Sequence, residues 1–243
     1  MIQEGIFHIY PIAESAITIE CGKEIAVSNH RRLLQLQKQL QIQAFSGFTD
    51  TSITYNTLTV FFDPRRLITN GQHSPLAFVL KELQTLVRGF GHQPDTQIPP
   101  GKHHLIPVCY DPALAPDLLT VAAYHKTSPD AIIEAHTGQD WYVFMIGFNP
   151  GFPYMGVLPP TLAMPRKSTP AAKVAAGSVG IAGTQTGIYP NDSPGGWQII
   201  GRTPLKIFSP EDPSPVLFSA GDTVRFTPID SDTFSYLNQY ANS

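Results

Sequence analysis

Charge is scarce in this chain of 243 residues. Asp, Glu, Lys and Arg make up 14% of it, and 16 Lys+Arg against 19 Asp+Glu leave a formal charge of −3. With no basic excess, the sequence offers no electrostatic footprint for nucleic acid or an anionic membrane. So low a charged fraction also leaves surface free for a partner subunit. Cysteine is scarcer still. Cys21 and Cys109 lie on separate apolar segments and form no C-x-x-C pair. They read as buried free thiols in a reducing compartment. Long apolar runs are missing: the longest, Trp141–Ile146, is far too short to span a bilayer. The opening MIQEGIFHIYPIAES has neither the basic stretch nor the apolar core of a signal peptide, so a cytoplasmic location is expected.

Familiar catalytic signatures are absent as well. There is no G-x-x-x-x-G-K-[ST], no H-E-x-x-H and no G-x-S-x-G. The run GSVGIAG at 177–183 spaces its glycines by three, unlike the G-x-G-x-x-G of a dinucleotide fold. Eight histidines are scattered, with only His103 and His104 adjacent. No spacing points to a metal, and none is expected.

What is present is a globular composition, 42% hydrophobic, in a chain long enough for one large domain or two small ones. Residues 1–102 hold 6 of the 23 prolines and 7 of the 19 glycines; residues 103–243 hold the rest. The change follows GHQPDTQIPPGKHH at 91–104, which reads as a linker or wide turn. Domains are therefore expected at 1–100 and 101–243.

The first half alternates strand and helix signals. Strands are predicted at 6–10, 16–19, 48–55 and 58–62, the last two turning at Asn56. Leu33, Leu36 and Leu40 recur at helical spacing behind a cap at Ser28 or Asn29. Ser74-Pro75 opens a second helix through Leu76, Val79, Leu80, Leu83 and Leu86, with Gly89 as its stop. Two helices on a small antiparallel sheet predict a ferredoxin-like α+β domain. The second half is mostly β. Strands are predicted at 105–110, 141–148, 177–186, 197–200, 205–208 and 223–228, with a short helix at 130–136. The 141–148 run is apolar throughout, as for a strand buried on both faces. Short strands with closely spaced turns predict a barrel or sandwich.

Glycine- and proline-rich loops carry the candidate chemistry. GFNPGFPYMG (147–156) offers Phe148, Phe152 and Tyr154 as a pocket wall or as a plug for a barrel end. MPRKSTP (164–170) holds Arg166 and Lys167 between prolines, as an anion clamp or an exposed basic turn. Thr184, Gln185, Thr186 and Tyr189 supply hydrogen-bonding groups, or simply a half-buried strand. In NDSPGGWQIIGRTP (191–204), Ser193, the Gly195 and Gly196 backbone and Trp197 suit a small oxyanion site, with Arg202 just beyond. The alternative is a tight hairpin with Trp197 in the core and Arg202 snorkelling. His125 and His136 flank the short helix, in a structural or a catalytic role.

Two stretches, FMIGFNPGFPYMGVLPPTLAMPRKSTP and VAAGSVGIAGTQTGIYPNDSPGGWQIIGRTPLKIF, closely resemble the KipI/PxpB family, also called allophanate hydrolase subunit 1. The likeness is dense from 108 to 229. In the first half it rests on element order and on VFFDP at 60–64. The chain departs at CYDPALAPDLL (109–119), which keeps Cys109, Tyr110, Pro116, Asp117 and Leu118 but lacks the family's Gly-Gly-Glu-type turn. In YHKT only His125 and Thr127 of a His-His-Thr run remain.

The resemblance implies an α+β ferredoxin-like N-terminal domain followed by a mostly-β, cyclophilin-like barrel. It implies a KipA/PxpC-like and a LamB/PxpA-like partner subunit, forming an ATP-dependent 5-oxoprolinase that opens 5-oxo-L-proline to L-glutamate. Mg is expected with the ATP. Two other roles follow from the same family: docking on a sensor histidine kinase as an inhibitor, or a part in urea or allophanate processing. For the oxoprolinase, Gln185, Ser193 and the Gly195-Gly196 backbone are the expected donors, and Arg166 or Arg202 the expected cation. Phe152, Tyr154, Tyr189, Gly195, Gly196, Trp197 and His125 are expected to bind substrate.

Overall fold

The computed structural model describes residues 2–90 and 100–241, in two compact units, Met1–Pro99 and Pro100–Ser243. The first unit is built on an antiparallel five-stranded sheet in the order β1-β2-β3-β5-β4. These strands are β1 (Ile2–Glu4), β2 (Phe7–Ala13), β3 (Ala16–Cys21), β4 (Phe48–Ile53) and β5 (Thr57–Phe62). Alternate residues point to one face, so Ile9, Ile17, Ile19, Leu58 and Val60 are buried together. Helix α1 (Val27–Ile42) adds Leu33, Leu36 and Leu40 to that core, and α3 (Pro75–Phe90) adds Val79, Leu83 and Val87.

Two local differences from the sequence expectation have simple causes. Helix α1 begins a residue earlier than its expected cap, with Ala26 as N-cap and no side-chain bond; its Leu stripe, rather than a cap, holds it. A further short helix, α2 (Pro64–Thr69), starts inside the VFFDP element. Asp63 caps it by accepting the Arg65 backbone N–H at 2.9 Å, and Pro64 occupies its first turn.

The second unit contains β6 (His103–Cys109), α4 (Leu118–Tyr124), α5 (Pro129–Thr137), β7 (Trp141–Ile146), β8 (Pro153–Gly156) and β9 (Ala171–Val174). It continues with β10 (Ser178–Ala182), β11 (Gln185–Ile188), β12 (Ser193–Gly195), β13 (Gln198–Arg202), β14 (Thr223–Ile229) and α6 (Ser231–Ala241). Seven of the strands close a barrel in the order β10-β11-β8-β7-β14-β6-β13. β6 and β14 run parallel, and the other pairs are antiparallel. The strand expected at 177–186 is a hairpin, because Gly183 at φ +57° turns the chain between β10 and β11. The 205–208 stretch makes no strand, only a bridge from Phe208 to Val216.

Strands β10 and β13 are buried on both faces. Toward the barrel interior they send Val179, Ile181 and Ile200, which pack with Val143, Met155 and Phe226. Toward the outside they send Ala182 and Ile199, which pack with Phe152, Tyr189 and Trp197. That outer cluster is the floor of the candidate site.

A polar chain crosses the interior core. His136, from the last turn of α5, is fully buried and stacks on Phe226 at 4.4 Å between ring centroids. Its Nε2 lies 2.9 Å from Thr186 Oγ1, and its Nδ1 lies 3.0 Å from the Tyr110 hydroxyl. Thr186 donates its own proton to the Gly180 carbonyl at 3.1 Å. The imidazole must therefore donate from Nε2 and accept from Tyr110 at Nδ1, which fixes one neutral tautomer. Burial lowers its pKa from 6.5 to about 3, consistent with a ring that stays uncharged.

Candidate functional site

A cavity of about 470 Å³ opens between β12, which pairs with β9 in a two-stranded ribbon, and the aromatic residues packed on the outer cluster. Phe152 is its hub. The ring is buried and meets Tyr154 at 4.8 Å, Tyr189 at 5.2 Å and Trp197 at 5.2 Å. Such a box follows from the backbone beneath it. A Cβ on Gly187 would stand 2.8 Å from Phe152 Cε1, so only glycine lets the ring lie against β11. Likewise a Cβ on Gly195 would meet Tyr189 Cε1 at 2.8 Å and collide with its hydroxyl. Glycine there seats Tyr189 against the ribbon.

Polar groups are few, and they converge. Ser193 Oγ is buried and has no hydrogen-bond partner among the described residues. Burial raises the pKa of Tyr189 and of Tyr154, while the Arg166 guanidinium pulls both back. Both phenols remain protonated donors at neutral pH.

Arg166 stands exposed on the cavity lining, with no hydrogen bond or ion pair among the described residues. Its loop, however, is fixed. Gln198 Nε2 donates to the Pro165 carbonyl at 3.1 Å, and Lys167 N–H donates to the Gly196 carbonyl at 2.8 Å. Lys167 Nζ is held 2.6 Å from Asp117 Oδ2, which also accepts the Ile199 N–H at 2.7 Å. A rigid loop thus presents an uncommitted guanidinium to an aromatic cavity, an arrangement suited to a small carboxylate.

Of the residues expected from sequence, Arg166, Ser193, Phe152, Tyr154, Tyr189, Gly195, Gly196 and Trp197 meet in this cavity. Gln185, Arg202 and His125 do not line it. Gln185 starts β11 beside Gly156, about 7 Å along the strand from Gly187. Arg202 is drawn away by its Nε bond to the Ala176 carbonyl at 2.8 Å. His125 caps the C-terminus of α4, edge-on to Tyr124. Phe148, read from sequence as part of a pocket wall, lines the cavity too; Asn149, Pro170 and Pro194 line it without having been placed there by sequence reasoning. Phe148 has a positive φ of 62°, a conformation rare for a bulky residue and common at ligand sites. Asn-Pro-Gly after it was the available signal.

A closed mixed barrel with an aromatic cavity on its outer wall defines the class; comparison with known proteins defines the family. Residues 7–218 match the family described as carboxyltransferase domain, subdomain C and D. The chain belongs to that family, in its KipI/PxpB branch. It is 40% identical over 219 residues to the B subunit of 5-oxoprolinase from Haemophilus influenzae, covering 90% of this chain and 96% of that one. It is 35% identical over 239 residues to the corresponding 5-oxoprolinase protein of Bacillus subtilis, covering 97% and 98%. Among solved structures, TTHA0988 is 32% identical with a TM-score of 0.73; the likeness covers 89% of this chain but only 40% of that longer one. Kluyveromyces lactis urea carboxylase shares the fold at a TM-score of 0.76 and 18% identity, over 97% of this chain and 23% of that one.

Proposed function

We propose that this chain is the B subunit of a 5-oxoprolinase, and that the aromatic cavity receives 5-oxo-L-proline. The observation that carries the reading is the unpaired Arg166 guanidinium beside a box of rings and a buried, partnerless Ser193 hydroxyl. The substrate is a small, flat lactam with one carboxylate. Arg166 pairs with that carboxylate, while Phe152, Tyr154 and Trp197 cover the ring faces and exclude water. Ser193 and the Tyr189 hydroxyl donate to the amide oxygen and fix its orientation. A five-membered lactam resists hydrolysis because amide resonance deactivates its carbon; ATP with Mg would supply the activation, by phosphorylating the amide oxygen. The Haemophilus and Bacillus relatives, matched over nearly their whole length and named for 5-oxoprolinase, support the reading.

The same reading includes a KipA/PxpC-like and a LamB/PxpA-like partner in the cytoplasm. The longer chain of TTHA0988, of which this fold fills 40%, is consistent with a partner fused to it. It also includes two domains joined at 91–104: a cyclophilin-like barrel after a ferredoxin-like unit in which β2 takes the place of the closing strand.

Glutamate release from 5-oxoproline by the three proteins together, with each omitted in turn, tests the assignment. Activity that survives omission of this chain would overturn it. Arg166→Ala is expected to raise KM about tenfold to a hundredfold, the loss of a charge-assisted pair, with an unchanged melting temperature because the side chain is exposed. An unchanged KM would remove Arg166 from the site.

A further inference from the structure

A second cavity, of about 180 Å³, lies beside the first and shares none of its lining residues. Strand β9 lines it, as its partner β12 lines the aromatic one. Its chemistry is opposite: in place of rings it holds Lys167, Lys173 and Arg202. Arg202 is one of the two cations that the sequence offered for the lactam pocket. Its Nε is used by the Ala176 carbonyl, and its guanidinium carbon stands 5.9 Å from the Phe234 ring centroid. The terminal Nη groups make no hydrogen bond among the described residues.

Ser178 also lines this cavity. The residue is 5% exposed, and its hydroxyl has no partner among the described residues. A serine hydroxyl and a guanidinium with free Nη groups on one wall offer donors to a ligand that accepts from both. Carboxylates do approach the lysines. Asp117 Oδ2 is 2.6 Å from Lys167 Nζ, and Asp192 Oδ2 is 2.8 Å from Lys173 Nζ. Asp192 also feels the Arg202 charge, as the weakest of the influences that hold its pKa down. Neither Asp lines the cavity, so its wall carries three cations and no anion. The Lys173 pair is largely exposed; such pairs contribute little and leave the ammonium free to turn inward.

We propose that this cavity is a separate site for a phosphate-class oxyanion. Arg202 supplies a two-pronged donor through its Nη groups, Ser178 supplies a hydroxyl, and Lys173 closes over the charge. The volume corresponds to about six waters at ~30 Å³ each. That is room for a phosphate or a diphosphate but not for a nucleoside, whose base would have to remain outside. Arg166 and Lys167 are neighbours in one loop, so the loop that presents a cation to the aromatic cavity also walls this one.

Calorimetric titration of the full chain at constant ionic strength tests the proposal. The probes are inorganic phosphate, pyrophosphate and ATP, with chloride as the control. A phosphate-bearing probe should bind, and Arg202→Gln and Ser178→Ala should each weaken it about tenfold. Arg225→Gln, which removes a cation elsewhere on the barrel, should not. Preference for pyrophosphate and ATP over phosphate would identify a phosphate chain as the occupant; preference for phosphate would identify the free ion. Absence of binding by every probe, or equal affinity in wild type and variants, would overturn the site. Should Arg202→Gln fail to fold by circular dichroism, Ser178→Ala carries the same decision.

Discussion

Gly195→Ala is expected to cost the assembled 5-oxoprolinase about a hundredfold in turnover, while the chain itself stays folded. The added methyl would collide with the Tyr189 hydroxyl and lie 2.8 Å from two of its ring carbons. Tyr189 cannot retreat freely, because Phe152 packs edge-on against it at 5.2 Å. Something must shift by the better part of an ångström, and misplacement on that scale costs about 10²-fold in a positioned site. The stability penalty should be about 1–3 kcal/mol, as for an overpacked core position. Glutamate release and a denaturant melt on the same preparation separate the two effects. Full turnover with a normal melt would show that Tyr189 and the ribbon do not shape the substrate pocket.

The second large effect belongs to His136. An unfolded chain protonates this residue as pH falls through 6.5, whereas the folded chain resists until about 3. The unfolded state therefore binds the extra proton throughout that window. Stability should fall as pH drops from 6.5 toward 3, by up to about 1.4 kcal/mol per pH unit from this group alone. Carboxylates held low by their partners, Asp140 by Arg225 and Asp192 by Lys173, add their own losses at the acid end. The difference between wild type and His136→Phe isolates the histidine. Phe keeps the stack on Phe226 but cannot titrate, so its stability curve should be flatter between pH 6 and 4.5. His136→Ala, which opens a cavity and leaves the Tyr110 hydroxyl without its partner, should lose about 3–5 kcal/mol. Urea unfolding across the pH series reads both. Parallel curves for wild type and His136→Phe would refute the neutral, buried imidazole.

Most of the strands were legible because alternation and turn residues are local signals. Ile17, Ile19, Leu58 and Val60 announce their face without reference to the rest of the chain. Helix α4 was not legible. Its N-cap residue, Asp117, makes no side-chain cap bond and spends its carboxylate on Ile199 and Lys167, so the start signal is tertiary. The ribbon of β9 and β12 was hidden for a similar reason: its strands are short, glycine- and proline-rich, and paired across the length of β10 and β11.

The site was read in part. Its loops stood out by glycine and proline content, and the aromatic residues within them do converge. Sequence proximity misled at Arg202, which follows Trp197 closely but is turned by one backbone carbonyl into another cavity. At Gln185 the chemistry was suitable, but the position along β11 was not. Family resemblance named a function for the chain; it could not decide which cation faces which cavity, since that depends on where single side chains are anchored.

The parallel pairing of β6 with β14 sets the order in which this protein can be made. Residue 103 lies beside residue 223, so the ring of strands stays open until nearly the whole second unit has left the ribosome. Until then β6 and β7 lack the neighbour that completes them, and their unpaired backbone is open to other chains. Closure through so distant a contact is intrinsically slow. The aromatic cavity sits against strands of that same ring, so it can take its shape only after the last strand arrives.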